Sequence, residues 1–372
     1  MNSRIQPRID SSIDSSIDSP IDSSVAPSIK QTMSTPNVVE IAPSAEPRGL
    51  RMRLARNPEW FTVALIVVTC LIVGAINPRF FQFATLFDLL HSATTMSLFA
   101  LGTLVVLASG GIDVSFTAIA ALTMYGITKA VFAWWPDAPF ALILVTGALG
   151  GVVLGVVNGL LVHRLKAPSL IVTIGTQYLY RGLLLTFIGT TFFMNIPHSM
   201  DHFGRIPLFF YHTADGLRAV LPASVLALVA AALVTWWLLN RTMMGRGVYA
   251  MGGSLAIAER LGYNLRAIHL FVFGYTGMLA GIAGILHVSN NRLANPFDLV
   301  GSELDVIAAV ILGGARITGG TGTVVGTLLG VVLVTLIKSV LILVGVPSTW
   351  QKVIIGAFIL LAGTLFALQR KS

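Results

Sequence analysis

The sequence predicts an all-α, polytopic membrane protein: a helical bundle of about ten transmembrane helices, with a broken or re-entrant helix near residues 303–314. Three observations lead there. Of 372 residues, 55% are hydrophobic and only 11% are charged, against about 25% charged in soluble domains. Such a chain lacks the polar skin that a globule of its size needs in water. Apolar runs recur along it at lengths suited to a ~30 Å hydrocarbon core. The Lys and Arg residues behind its net charge of +8 sit in short loops between those runs, as in membrane proteins with basic cytoplasmic loops. No basic groove with interleaved aromatics supports nucleic-acid binding.

Residues 1–47 stand apart. Ile9-Asp10-Ser11-Ser12 recurs with little change as far as Ile21-Asp22-Ser23-Ser24, interrupted by Pro20 and followed by Pro27. Ser and Asp favour turns over helix, so a disordered cytoplasmic tail is expected, with a docking peptide as the alternative. No apolar stretch follows its basic residues, so it does not read as a secretory signal. Residues 48–372 read as one transmembrane domain. After Arg48, Arg51, Arg53 and Arg56 the expected crossings are 60–76, 91–108, 114–133, 140–162, 170–189, 219–239, 268–288, 304–312, 324–344 and 353–368. The run 304–312 is too short to cross as a straight helix, which implies a broken element covered by protein or water. The lone Cys70 lies in the first run and behaves as a small hydrophobe that excludes an internal disulfide.

With ten crossings, both termini share one side with His163–Lys166, the 240–267 loop and Arg316. About 16 of the 24 Lys and Arg residues lie there, which makes that side cytoplasmic; a multi-pass protein of the cell inner (plasma) membrane is expected.

Gly147, Gly151, Gly155 and Gly159 are spaced by four, leaving one helix face without side chains for a close-packed neighbour. Gly274, Gly277, Gly281 and Gly284 form a similar seam, as do Gly322, Gly326 and Gly330. Gly175, Gly182 and Gly189 repeat at seven. Packing is the reading that sequence supports; sliding surfaces for alternating access are compatible with it.

Ionisable residues within or beside spans mark pathways or pairs. Asp113, Ser115, Arg181, Glu303 and Asp305 are the candidates for a translocation path or gate. Asp113 is also placed to accept from backbone N–H groups two or three residues on, and Ser302 to cap the helix that carries Asp305. Lys129 and Lys338 fit snorkelling to an interface. The span centres are nearly free of acids, unlike the midplane ion sites of coupled carriers, so the drive for any transport is expected to come from elsewhere. In the 240–267 loop, Ser254 suits the N-cap of a short helix that Gly262 ends. Leu255, Ala258 and Leu261 are expected to share one face for a partner.

The residues just named lie in longer runs that resemble a known family. Gly245-Arg246, Ala250-Met251-Gly252-Gly253-Ser254 and Ala258 to Gly262 are similar to the cytoplasmic loop of ABC sugar permeases, the ribose, arabinose, xylose and rhamnose group that also includes autoinducer-2 permeases. Gly110-Gly111-Ile112-Asp113-Val114-Ser115 looks like its GGIDLS signature. Asn158-Gly159, Pro168, Thr173, Gly175-Thr176, Arg181-Gly182, the run 303–314, Gly319-Gly320 and Gly322 continue the match over roughly residues 60–368. Phe116-Thr117 departs from the usual Val-Gly, Ser254 replaces a common Asn, and Arg316 stands where a small or polar residue is frequent.

The resemblance implies the permease subunit of an ATP-driven importer of a sugar or sugar-like solute. Its implied partners are a separate ABC ATPase subunit on the 240–267 loop, a periplasmic solute-binding protein, membrane lipid, and a second permease that is either a copy or a relative. The chain has no G-x-x-x-x-G-K-[ST] phosphate loop, so a transporter subunit without its own ATP site is expected rather than an enzyme. No cofactor or metal is implied; His198, His202 and His212 read as surface histidines. An ion-coupled carrier is the rival reading, disfavoured by the missing midplane carboxylates.

Overall fold

The computed structural model describes residues 58–76, 78–212 and 218–343, with scattered positions between 347 and 360. The Ile-Asp-Ser tail and most of the expected crossing at 353–368 lie outside them. The first helices are α1 (Pro58–Ile76), α2 (Phe83–Ala108), α3 (Phe116–Trp134), α4 (Phe140–Leu165), α5 (Ser169–Leu183) and α6 (His198–Arg205). A hairpin of β1 (Pro207–His212) and β2 (Arg218–Pro222) follows, then α7 (Ser224–Arg241), α8 (Met243–Gly253) and α9 (Leu255–Arg260). The last are α10 (Leu265–Asn291), α11 (Glu303–Leu312) and α12 (Val324–Leu343).

Among the described residues seven helices of 18–27 residues are long and apolar enough to cross a membrane, and Glu59–Ala75 of α1 is a shorter apolar helix. Helix starts are punctuated by proline. Pro58 opens α1 and Pro139, Pro168 and Pro197 precede α4, α5 and α6, positions where a missing N–H costs nothing. Lys166 and Arg292 adopt the left-handed conformation that ends α4 and α10. After Leu183 the α5 helix widens into a π turn, Leu184–Ile188, before Gly189.

The bundle is built around α10, which packs on α4, α2 and α3. The glycine seam explains the first contact. A methyl on Gly151 would lie 2.0 Å from Gly277 O, and one on Gly155 2.2 Å from Phe273 O. Any larger residue would force the two backbones apart. Gly147 and Gly159 face Ile285 and His269 of the same helix. By contrast, nothing lies within 4 Å of where side chains on Gly175 and Gly182 would begin, so these two glycines of the heptad repeat in α5 meet no neighbour among the described residues.

The expected crossing at 219–239 is corrected at its start. Ala219–Pro222 belongs to β2, paired antiparallel with β1, and the helix begins at Ser224. Phe87 and Phe83 of α2 meet Phe209 and Tyr211 of β1 edge to face, with centroids 5.9 and 6.1 Å apart. That aromatic contact holds the hairpin on the start of α2. The short element expected at 304–312 is α11, a ten-residue helix followed by a turn through Gly313 and Gly314.

Candidate functional site

Two features stand out: a short loop helix with an exposed apolar face, and buried polar networks where the spans are interrupted. Ser254 N-caps α9, its Oγ accepting from Ile257 N at 3.4 Å, and Gly262 ends the turn at φ +82°. The expected single face divides. Ala258 is wholly buried, whereas Leu255, Ile257 and Leu261 are 53%, 58% and 68% exposed. Ala258 therefore anchors the helix, and Ile257 joins the outward face that sequence spacing had assigned to Ala258.

Glycine packing joins α8, which leads into α9, to the rest of the bundle. A methyl on Gly252 would lie 2.0 Å from Ala108 O and 2.6 Å from Gly320 N. Gly320 N itself donates to Ala108 O at 3.0 Å. Gly110, Gly319 and Gly320 adopt φ of +84°, +88° and +75°, a region that side-chain-bearing residues rarely enter. Three backbone segments thus meet without intervening side chains: the end of α8, the α2–α3 connection and the turn before α12. Tyr249 adds a tie, its OH donating to Gly322 O at 2.8 Å. Burial raises the Tyr249 phenol above its ordinary pKa.

The α2–α3 connection carries Asp113. Its carboxylate is 1% exposed, and Oδ1 accepts from Ser115 N at 2.7 Å and Ser115 Oγ at 2.6 Å. The backbone bond is the one expected two residues on; Ser115 stands at the N-cap of α3 without making a side-chain cap. Ser115 Oγ in turn accepts from Asn158 Nδ2 at 2.6 Å, and Tyr180 OH lies 3.1 Å from Asn158 Oδ1. Ser169 Oγ accepts from Ile112 N at 2.8 Å, and Thr173 Oγ1 lies 3.3 Å from Ile112 O. One chain of hydrogen bonds therefore links the connection to α4 and α5. Asp113 Oδ2 has no hydrogen-bond partner among the described residues, an uncommon state for a buried carboxyl oxygen.

Glu303 and Asp305 share the first turn of α11 but serve different neighbours. Glu303, 7% exposed, accepts from Thr117 Oγ1, from Gln177 Nε2 at 2.7 Å and from Gly301 N at 2.9–3.0 Å. Three donors from α3, α5 and the preceding loop compensate a buried carboxylate. Asp305 Oδ2 accepts from Lys338 Nζ of α12 at 2.7 Å, so Lys338 is an ion-pair partner. Ser302 makes no cap: its Oγ donates to Leu299 O at 2.6 Å. Lys129 donates to Ile188 O, the last residue of the π turn. Arg181 is half-buried in the last turn of α5 and joins neither network.

Thr117, Asn158, Ser169, Gln177, Tyr180 and Ile257 were not picked out as site residues from sequence. Asn158 stood only among the residues of the family match and Thr117 only as a departure from the family's usual glycine; the others carried no signal.

The bundle defines a multi-pass membrane protein. The profile of the family described as "Branched-chain amino acid transport system / permease component" matches residues 85–363, and the chain belongs to that family; it is an ABC transporter permease. It is similar to the autoinducer 2 import system permease protein LsrC of Yersinia pseudotuberculosis serotype O:1b, 33% identical over 315 residues covering 82% of this chain and 84% of that protein. The LsrC protein of Yersinia pestis strain Pestoides F is 32% identical over the same shares. No solved structure matches.

Proposed function

We propose that the chain is the membrane-spanning subunit of an ATP-driven importer, moving a sugar or sugar-like solute across a cell inner membrane with both termini cytoplasmic. The motor is a separate ATPase docked on Leu255, Ile257 and Leu261. The observation that carries this reading is the glycine junction. A partner that shifts α8 and α9 presses directly on the backbone at Ala108–Gly110 and Gly319–Gly320. From there displacement reaches Asp113 and its hydrogen-bonded chain on one side and the start of α12 on the other. Interlocked backbones transmit movement rather than absorbing it, because close-packed interiors deform little.

The positive-inside bias of the loops supports the orientation, and the likeness of the motif runs to ABC sugar permeases supports the solute class; the relatives are named for autoinducer 2 import. A periplasmic binding protein delivers the solute, and a second permease, either a copy or a relative, completes the assembly. Asp113, Ser115, Glu303 and Asp305 belong to the gate or path, and Arg181 lies outside both of their networks.

Reconstitution tests the proposal. Uptake into proteoliposomes should require the cognate ATPase, the binding protein and ATP, and should persist when an uncoupler collapses the proton gradient. Leu255→Asp with Leu261→Asp should abolish co-purification of the ATPase while the chain stays in the membrane. Uptake by the purified chain alone, or loss of uptake on uncoupling while ATP remains, would overturn it.

A further inference from the structure

At the end of the bundle away from α9 lies a cavity of about 390 Å³, at the small end of the range for ligand pockets. Four helices converge on it. The first half of α2 supplies His91, Ser92 and Thr95, the last turns of α10 supply Asn290, and α11 and α12 supply Asp305 and Lys338. Nothing in the docking mechanism uses this space, and its polarity is costly at membrane depth unless something satisfies it.

The lining groups are incompletely satisfied by the protein. Among the described residues the side chains of His91, Ser92 and Thr95 take no hydrogen-bond partner. Thr335, also in the wall, donates to the Met96 thioether at 3.8 Å, a weak acceptor that a hydroxyl would displace. His287, also in the wall, lies 3.4 Å from Asp298 Oδ2 through its Nε2. Lys338 Nζ pairs with Asp305 Oδ2 at 2.7 Å, their side chains 32% and 27% exposed. The pair offers a carboxylate acceptor and an ammonium donor while contributing no net charge. Met96, Phe99 and Val306 give the same cavity an apolar wall. Uncommitted hydroxyls, a neutral charged pair and an apolar wall together match a small uncharged molecule with hydroxyls on its edges and C–H groups on its faces. A free cation or anion would instead have to compete with the existing ion pair.

We infer that this cavity is a binding site, inside a single subunit, for a neutral polyhydroxylated solute of monosaccharide size. The inference deepens the transport reading, on which the identification of the occupant as cargo rests; the site itself rests on the cavity. Asp305 accepts from adjacent hydroxyls, Lys338 and the His91 ring meet the ring or carbonyl oxygens, and Ser92 and Thr95 hold the edge facing α2.

Labelling a single cysteine tests it. Ser92→Cys in a Cys70→Ser background, with the full chain in lipid nanodiscs and no ATPase, is reacted with a water-soluble maleimide. The panel is D-ribose, L-arabinose, D-xylose, D-glucose and myo-inositol, with L-leucine as the zwitterionic control. At least one polyol should slow labelling in a saturable way, and leucine should not. Adding Thr95→Val should raise the half-protecting concentration about tenfold, the scale of one or two lost hydrogen bonds, while gel filtration confirms an intact fold. No protection by any polyol, equal protection by leucine, or indifference to Thr95→Val overturns the site. Full importer uptake unaffected by Ser92→Ala with Thr95→Val would also overturn the site while leaving the transport reading standing. Polyol protection in a chain that moves nothing with its ATPase would sink the transport reading and leave the site.

Discussion

Replacing Gly252 by Ala adds one methyl group at the junction between the docking helix and the spans. That methyl would sit 2.0 Å from Ala108 O and 2.6 Å from Gly320 N, where ordinary contact begins at 3.4 Å. The backbones must therefore separate by more than 1 Å. No side chain can swing away, since the obstructing atoms are main chain. The same separation strains the Gly320 N to Ala108 O hydrogen bond, now 3.0 Å. Overpacking costs about 1–3 kcal/mol and a lost hydrogen bond about 0.5–1.5 kcal/mol, so a destabilisation of roughly 1.5–4.5 kcal/mol is expected. The exposed face at Leu255, Ile257 and Leu261, where the ATPase is proposed to dock, is untouched. The variant should still co-purify with the ATPase, melt at a lower temperature in detergent, and lose uptake in proteoliposomes by about tenfold or more while ATP hydrolysis continues. Wild-type melting and uptake would refute the argument that these backbones touch and that the contact transmits movement.

Further expectations follow from particular contacts. Thr117→Val removes a donor to the buried Glu303 carboxylate and should cost about 1.5–3 kcal/mol, read as a lower melting temperature that Thr117→Ser restores; an unchanged melt for Val would show the bond to be idle. Gly151→Ala, whose methyl would lie 2.0 Å from Gly277 O, should lower the melting temperature, whereas Gly175→Ala, with nothing within 4 Å, should leave it unchanged. Equal effects from the two glycines would contradict the α4–α10 packing.

The spans were legible because apolar runs of the right length admit few other structures, and prolines mark several of their starts. The α4 seam was legible for a similar reason: four-residue glycine spacing has few uses besides close approach. The short loop helix α9 was half legible. Ser254 and Gly262 fixed its ends, but three-residue spacing cannot say which side of so short a helix the bundle covers, and Ala258 proved to be the buried side. The hairpin escaped notice because Ala219-Val220-Leu221 reads as a continuation of the apolar run; Pro222, which cannot sit comfortably inside a helix, was the overlooked signal. The Glu303 cluster escaped for a deeper reason. Thr117 and Gln177 lie 186 and 126 residues away from it in the chain, and no local pattern records such a partnership. A Thr in place of the family's usual glycine becomes meaningful only once the carboxylate opposite it is seen. The Ser302 cap failed on a competition that sequence cannot rank, since Leu299 O drew the hydroxyl away.

Movement of α9 is expected to reach the buried connection around Asp113 through the glycine junction. Hydrogen–deuterium exchange of the permease–ATPase complex in nanodiscs, with and without a non-hydrolysable ATP analogue, measures it directly. Exchange should change together in peptides covering 108–116, 249–262 and 317–323. A nucleotide-dependent change confined to 249–262, with the other two peptides unaltered, would contradict the account.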